Sequence, residues 1–312
     1  MSSFNKILVI LNPTAGQRNT ARIRSAIESF MMEKGYNFVL RESTERGDAT
    51  RWARAAVAEG FDLVAAAGGD GTVSEAADGI MRSGGRVTLA QIPTGTTNFA
   101  ARALSIPMSL RDSLSVIETG KSERFDIGYL PEHDRYFVFI MGTGYDGRLI
   151  HDTPAELKKK LGFIGYVMFG IRNAPSVRPV QMELEIDDEV KHLRAHTVMV
   201  INIGSIQSLG FSFAPDIDPH DGKLNISIMS TRSWWGTLQM VLRILTRRFH
   251  GFPDLKHVKA RRIRVTSDPP FPVEIDGDPL GTTPFLAEVI HDAMPFLVPS
   301  TYSRDSYKPN PS

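Results

Sequence analysis

Residues 62–81 read DLVAAAGGDGTVSEAADGIM, and this stretch decides the fold class. Its first six residues are mostly small and apolar, which is typical of a strand buried on both faces. They pass directly into a glycine-rich turn at 68–72, and apolar residues then recur at helical spacing over 73–81. A strand, a tight turn and a helix in immediate succession predict one unit of an α/β domain with a parallel sheet.

The same alternation continues on both sides of this stretch. Further strands are predicted at Ile7–Leu11, Asn37–Arg41 and Val87–Ile92, and helical patterns follow each of them. We therefore assign residues 1–125 to an α/β domain in which helices cover a parallel sheet.

From about residue 125 the pattern changes to short strands between turn signals. The predicted strands are Tyr136–Met141, Gln181–Ile186, His196–Ile203, Leu224–Met229, Arg262–Thr266 and Pro272–Ile275. Two helical inserts are predicted, near Ala155–Ile171 and Trp234–Phe249. Residues 126–284 are expected to form a second, β-rich domain, most simply a sandwich. The apolar segment 285–300 is a candidate for return to the first domain.

Composition narrows the class of protein. The chain has 312 residues, 42% of them apolar, and a net charge of +1, which together exclude wholesale disorder and a broad nucleic-acid-binding field. It contains no cysteine, so disulfides and thiolate chemistry are excluded. The apolar runs are too short for a signal peptide or a membrane span. We expect a cytoplasmic protein, at most peripheral to the inner face of the membrane.

Three loops follow predicted strands and are suited to phosphate. They are NPTAG at 12–16, GGDGT at 68–72 and PTGTTN at 93–98. Ligands of open α/β sheets lie beyond the carboxyl ends of the strands, where glycines let backbone N–H groups approach an anion. Each loop taken alone is also compatible with a plain strand-to-helix turn. Asp70 would be an acidic residue among phosphates, which indicates that Mg²⁺ lies between them. The P-loop and G-x-G-x-x-G motifs are absent in the contexts that they require, which disfavours P-loop and ordinary dinucleotide-binding mechanisms.

These residues resemble the diacylglycerol kinase catalytic-domain family in its bacterial soluble branch, which is related to sphingosine and ceramide kinases and more distantly to NAD kinases. Later segments also match: GTGYD at 142–146, Ala214-Pro215, DGKL at 221–224 and EIDGD at 274–278. The resemblance implies an ATP-dependent kinase acting on a lipid hydroxyl. It also implies an NAD kinase/phosphofructokinase-like three-layer α/β domain and a C-terminal β-sandwich, with the site in the cleft between them.

The family motifs assign ATP and Mg²⁺ as cofactors and name the residues around them. The residues expected to hold ATP are Asn12, Pro13, Gly16, Thr44, Gly68, Gly69, Asp70, Gly71, Thr72, Glu75, Thr94, Gly95, Thr96 and Asn98. Asp276 is the expected general base, Asp70 the residue that orients Mg²⁺ with ATP, and Asp278 an auxiliary metal or water ligand. The choice of base between Asp70 and Asp276 stays open. Asp218 and Asp221 are expected either to bind a structural Mg²⁺ or to form an Asx turn.

Two departures from the family pattern leave two alternative functions open. The third loop has Phe99 where the family has Asp, and the late element ends in Asp278 where the family has Glu. The alternatives are an NAD kinase, which shares the GGDGT loop, and a nucleotide-binding regulator without catalysis.

Basic residues flank both predicted helical inserts. One cluster is Lys158–Lys160, and the other comprises eight Lys or Arg with a single acid between Arg243 and Arg264. The expected partners are a lipid alcohol and the surface of an anionic membrane, with no nucleic acid. A helix that covers the sandwich with a solvated charged edge explains the same pattern. The sequence leaves open which lipid is phosphorylated and whether the chain forms a homodimer.

Overall fold

A computed structural model describes residues 4–16, 19–144, 179–206, 211–231, 233–249 and 251–307. The chain divides into two compact units, the first comprising residues 1–127 and 292–306 and the second 128–291 and 307–312. The predicted insert at 155–171, the Lys158–Lys160 cluster, Tyr145 and Asp146 lie outside the described residues.

The first unit alternates strands and helices as predicted. Its elements are β1 (Ile7–Leu11), α1 (Thr20–Glu33), β2 (Phe38–Glu42), α2 (Asp48–Ala55), β3 (Leu63–Gly68), α3 (Asp70–Arg82), β4 (Thr88–Pro93), α4 (Phe99–Ala103) and α5 (Leu110–Thr119), followed by the start of β5 (Lys121–Leu130). The four strands β1 to β4 pair in parallel in the order β2-β1-β3-β4.

Strands β1, β3 and β4 are buried on both faces, which is typical of a parallel sheet. Alternate residues of β1, namely Ile7, Val9 and Leu11, pack in one apolar cluster with residues of α1 and α5, and the intervening Leu8 and Ile10 are also fully buried. A strand buried on both faces needs helices on both sides of the sheet. The α/β prediction is therefore confirmed.

The second unit is built from antiparallel strands. They are the end of β5, β6 (Arg135–Phe137), β7 (Ile140–Gly144), β8 (Val180–Ile186), β9 (Glu189–Ala195), β10 (Thr197–Ile201), β11 (Ser205–Ile206), β12 (Phe211–Ser212), β13 (Leu224–Met229), β14 (Leu255–Ala260), β15 (Arg262–Asp268), β16 (Pro272–Ile275), β17 (Asp278–Thr282) and the first half of β18 (Phe285–Val298). One helix, α6 (Trp234–Leu245), lies between β13 and β14.

Two sheets of this unit share one apolar core. One has the order β14-β13-β10-β7-β16-β17, and the other contains β18, β15, β8 and β9. Val200 of β10 and Ile226 of β13 belong to the same buried cluster as Leu184 of β8 and Ile263 of β15. Apolar residues of two antiparallel sheets that face one core define a β-sandwich, which confirms the predicted fold class.

Several predicted element boundaries were wrong, for physical reasons. The single strand expected over Tyr136–Met141 is two strands, because the N–H groups of residues 138–140 bind a carboxylate and leave the ladder. β9 and β14 were missed because their sequences, EVKHLRA and LKHVKA, are largely polar and line the sheet with half-exposed side chains. The segment expected at 285–300 is one strand, β18, of which residues 292–298 belong to the first unit.

Candidate functional site

The three glycine loops of the first unit come into backbone contact. A Cβ atom on Gly95 would lie 2.5 Å from the Cα of Gly69 and 3.1 Å from its nitrogen. A Cβ atom on Gly16 would collide with the carbonyl oxygen of Thr94. No side chain fits at these positions, so the glycines permit a close approach of the main chains rather than merely forming turns. The structure thus brings Gly16, Gly69, Thr94 and Gly95 of the three loops together.

The first loop is tied to the second through side chains. Asn12 Nδ2 donates to Thr72 Oγ1 at 3.1 Å, and Asn12 Oδ1 accepts hydrogen bonds from the backbone N–H and the hydroxyl of Thr14. A Cβ atom on Gly68 would overlap the Thr72 side chain. Gly68 is therefore required by the packing of Thr72, a reason that the motif alone does not reveal.

The third loop is closed by Asn98, which adopts a left-handed conformation with φ 48°. Its amide makes two hydrogen bonds with Gly95: Gly95 N–H donates to Asn98 Oδ1 at 3.0 Å, and Asn98 Nδ2 donates to the Gly95 carbonyl at 2.8 Å. The backbone N–H of Thr94 donates to the Gly68 carbonyl. The Thr94 hydroxyl is buried and finds no hydrogen-bond partner in the described part of the chain. An orphaned hydroxyl in a glycine-lined loop is the kind of group that a ligand oxygen satisfies.

Asp70 lies where the second and third loops meet. Its Oδ1 accepts the backbone N–H of Ala100 at 3.0 Å. The side chain keeps some solvent exposure, but the surrounding protein desolvates its carboxyl and raises its pKa. Backbone N–H groups of Phe99, Ala100 and Asp70 itself, and the charge of Arg102, act in the opposite direction. The result is a carboxyl that holds a proton more readily than an exposed aspartate.

Phe99 meets this site through its backbone. Its N–H group is one of those directed at the Asp70 carboxylate, so the loop keeps its hold on Asp70 although the family's aspartate is missing here. This main-chain contact does not depend on the identity of the side chain at position 99.

Thr44 and Glu75 have structural uses in the loop before α2. The N–H and hydroxyl of Thr44 donate to Asp48 Oδ2 at 2.8 and 3.2 Å, and Glu75 Oε2 accepts the N–H of Gly47 at 3.1 Å. The backbone N–H groups of Thr44 and Glu45, the Thr44 hydroxyl and the charge of Arg51 hold the pKa of Asp48 below its usual range. No pattern in the sequence showed that Asp48 organises the Thr44 loop.

Asp276 anchors a turn in the second unit. It adopts φ 50° between β16 and β17, and Gly277 follows at φ 88°. Its carboxylate accepts the backbone N–H groups of Val138, Phe139 and Ile140 at 2.8, 2.9 and 3.0 Å. The side chain predicted as a general base therefore also holds the break between β6 and β7. Its catalytic assignment stays a prediction.

The remaining predicted metal ligands already have partners. Asp278 pairs with Arg135 at 3.1 Å, a residue that no motif indicated, and Asp221 pairs with Lys259 at 2.6 Å. Asp218 and Asp221 also accept the backbone N–H two residues later, the pattern of Asx turns. Among the residues that the structure describes, no three His, Cys, Asp or Glu side chains form a cluster suited to a metal ion. A role in binding Mg²⁺ stays a prediction for these residues.

Comparisons with known proteins agree with this architecture. Residues 6–130 match the family model described as the diacylglycerol kinase catalytic domain. Residues 140–298 match the model described as the YegS C-terminal NAD kinase beta sandwich-like domain. A diacylglycerol kinase of Bacillus subtilis is 32% identical over 295 residues, which cover 92% of this chain and 95% of the relative. This chain belongs to the diacylglycerol kinase family.

Further members of the diacylglycerol kinase family extend the comparison. One from Staphylococcus aureus (strain MRSA252) is 30% identical over 279 residues, which cover 88% of this chain and 87% of the relative. A solved structure from Bacillus anthracis, provisionally named a diacylglycerol kinase, superposes with a TM-score of 0.82 at 27% identity and covers 97% of this chain and 100% of its own. Both domains therefore have the family fold, and the chain is a kinase-family protein throughout its length.

Proposed function

We propose that the chain is an ATP-dependent lipid kinase that transfers the γ-phosphoryl group to the hydroxyl of a diacylglycerol-like lipid alcohol. The observation that carries the proposal is the contact between the two loops at Gly69 and Gly95, with the carboxyl of Asp70 held beside it. Relatives named diacylglycerol kinase that match nearly the whole chain support the lipid class of the acceptor.

The loops of the first unit fit a polyphosphate. Gly16, Gly69 and Gly95 leave main-chain surface without side chains, and the buried Thr94 hydroxyl offers a donor that the described protein does not use. ATP supplies the phosphoryl group and leaves as ADP. Mg²⁺ usually takes only one or two protein carboxylates and completes its shell with phosphate oxygens and water. In the proposed reaction Asp70 lies outside this shell, because a carboxylate bound to Mg²⁺ does not readily accept a proton.

In the proposed reaction the lipid hydroxyl oxygen forms a bond to the γ-phosphorus, while the bond between that phosphorus and the β,γ-bridging oxygen breaks. The hydroxyl loses its proton in this step, so the chain must supply a group that accepts the proton. A carboxylate suits this role best when its pKa is raised towards neutrality. Of the two predicted bases, Asp70 has a carboxyl whose pKa is raised by desolvation, whereas Asp276 would weaken three backbone hydrogen bonds by taking up a proton. We therefore infer that Asp70 accepts the proton and that Asp276 positions the turn.

A substrate panel tests the proposed activity. Purified protein, Mg²⁺ and γ-labelled ATP are incubated separately with diacylglycerol, phosphatidylglycerol, sphingosine and NAD. Label in a phosphorylated lipid supports the proposal. Label in NADP alone would replace it with an NAD kinase, and tight ATP binding without labelled product would replace it with a regulator.

Two isosteric variants test the division of roles. Asp70→Asn is expected to lower kcat by about 100-fold or more with normal folding, the size usual for a lost general base. Asp276→Asn retains a side-chain acceptor at φ 50° and is expected to keep most of its turnover. The reverse result would return the base to Asp276.

A further inference from the structure

Helix α6 turns an apolar face towards solvent. Trp235 is 66% exposed and Leu242 is 50% exposed, and Leu242 lies seven positions after Trp235, so they lie on one face two turns apart. The opposite face is buried: Met240 is 5% exposed and belongs, with partly buried Ile244, to the cluster formed by Met199 and Ile201 of β10. The helix therefore has two apolar faces, of which the protein core uses one.

This exposed pair differs from ordinary surface scatter. Single exposed apolar side chains are normal in folded proteins. Among the described residues four large apolar side chains are exposed, at Met32, Val190, Trp235 and Leu242, and two of the four share this one helix face. A large aromatic and a large aliphatic side chain exposed on one helix face favour a surface that contacts another molecule.

Positive charge continues from the end of this face. Arg247 and Arg248 follow α6 directly and are exposed, and neither forms an ion pair with any carboxylate in the described ranges. Three other residues of the predicted basic cluster are paired: Lys259 with Asp221, Arg262 with Glu185 and Arg264 with Glu132. Exposed Lys256 and Arg261 also form no ion pair in the described ranges, and Arg247 and Arg248 are the unpaired charges that follow α6 in the chain.

We propose that the α6 face, defined as Trp235, Leu242, Arg247 and Arg248, docks on the surface of an anionic lipid bilayer. The chemistry of both parts fits this partner. Trp and Leu favour the boundary between headgroups and acyl chains, and basic side chains gain about 1 kcal/mol each near an anionic surface. No described helix is long and apolar enough to cross a membrane. The inference deepens the proposed lipid kinase function, on which it rests, because the acceptor of that reaction resides in the bilayer.

Vesicle sedimentation tests the docking directly. The full-length protein is mixed with phosphatidylcholine vesicles that contain or lack phosphatidylglycerol. We expect the protein to sediment with the anionic vesicles, with less bound as salt rises. Arg247→Gln with Arg248→Gln is expected to weaken binding about 30-fold, since 1 kcal/mol for each charge corresponds to roughly fivefold. Trp235→Ser with Leu242→Ser is expected to weaken binding to neutral and anionic vesicles alike.

Matched controls separate the α6 face from general charge and hydrophobicity. Arg262→Gln with Arg264→Gln removes the same charge from the paired residues, and Met32→Ser with Val190→Ser removes apolar surface of similar exposure elsewhere. Both control pairs are expected to bind vesicles like the wild type. Equal binding to neutral and anionic vesicles, or equal losses in the control and α6 variants, would overturn the proposal.

A second readout distinguishes docking from catalysis. The α6 variants are expected to phosphorylate a short-chain diacylglycerol dispersed as monomers at the wild-type rate, and to lose activity only on diacylglycerol embedded in anionic vesicles. Loss on both substrates would contradict a docking role. If the wild type binds anionic vesicles through α6 but phosphorylates no lipid, docking stands and the proposed kinase function fails.

Discussion

Gly95→Ala tests whether the contact between the glycine loops organises the site. The added methyl group would lie 2.5 Å from the Cα of Gly69 and 2.9 Å from Asn98 Oδ1, whereas ordinary contacts begin near 3.4 Å. The two loops must therefore separate by about 1 Å. The nearest atom on the second loop is main chain, so no side chain can rotate away to relieve the overlap.

The magnitude follows from this displacement. Overpacking of a tight contact costs about 1–3 kcal/mol of folding free energy, and a displacement of about 1 Å in a substrate-positioning element can cost about 100-fold in rate. We expect Gly95→Ala to lower Tm by roughly 2–4 °C for each kcal/mol lost and to lower kcat/KM for ATP by about 100-fold.

Thermal unfolding and steady-state kinetics at varied ATP measure the two effects. Gly71→Ala is the matched control for stability: it adds the same methyl group within the neighbouring loop, at the start of α3, where no atom lies within 4 Å of the new Cβ. This control is expected to leave Tm unchanged or to raise stability by up to about 1 kcal/mol, since alanine favours helix. Wild-type Tm together with wild-type KM for ATP in Gly95→Ala would refute the reasoning.

Three further predictions concern side chains that hold the main chain in place. Asn98→Ala loses two hydrogen bonds and keeps a Cβ at φ 48° without the polar side chain that lets Asn adopt this conformation, so it should cost about 2–3 kcal/mol in urea unfolding; Asn98→Gly, which has no Cβ, should cost less, and equal losses would contradict the strain argument. Asp276→Ala leaves three N–H groups without an acceptor and should lose about 3 kcal/mol or more, measured by denaturant unfolding, whereas Asp276→Asn should lose less. Burial lowers the pKa of His196 from 6.5 to about 4, so the unfolded chain gains a proton in this range that the folded chain does not. The free energy of unfolding should therefore fall by about 3 kcal/mol as pH falls from 6.5 to 4, and an equally steep fall in His196→Gln would show that another group is responsible.

Local sequence patterns were sufficient to predict the parallel strands of the first unit. The apolar run Ile7–Leu11 and the small residues before the glycines at 68–72 each predict one kind of element. Such a run must be buried on both faces, which is typical of a strand in a parallel sheet. The second unit was harder to predict. β9 and β14 are polar strands whose place depends on their neighbours in the sheet, and strand propensity is strongly context-dependent.

The candidate site divides in the same way. The motifs indicated which residues belong to the phosphate loops, since glycine and threonine at strand ends have recognisable chemistry. They did not indicate that Asp276 accepts three N–H groups, that Arg135 pairs with Asp278, or that Arg262 and Arg264 are neutralised. Each of these contacts joins residues that are far apart in the chain.

The order of residues alone therefore determined the elements of the α/β unit and the chemistry of its loops, because both depend on residues close together in the chain. Tertiary structure decided which charges stay unpaired, which glycines are sterically required and which face of α6 meets solvent. Those properties depend on distances between segments that only the folded chain brings together.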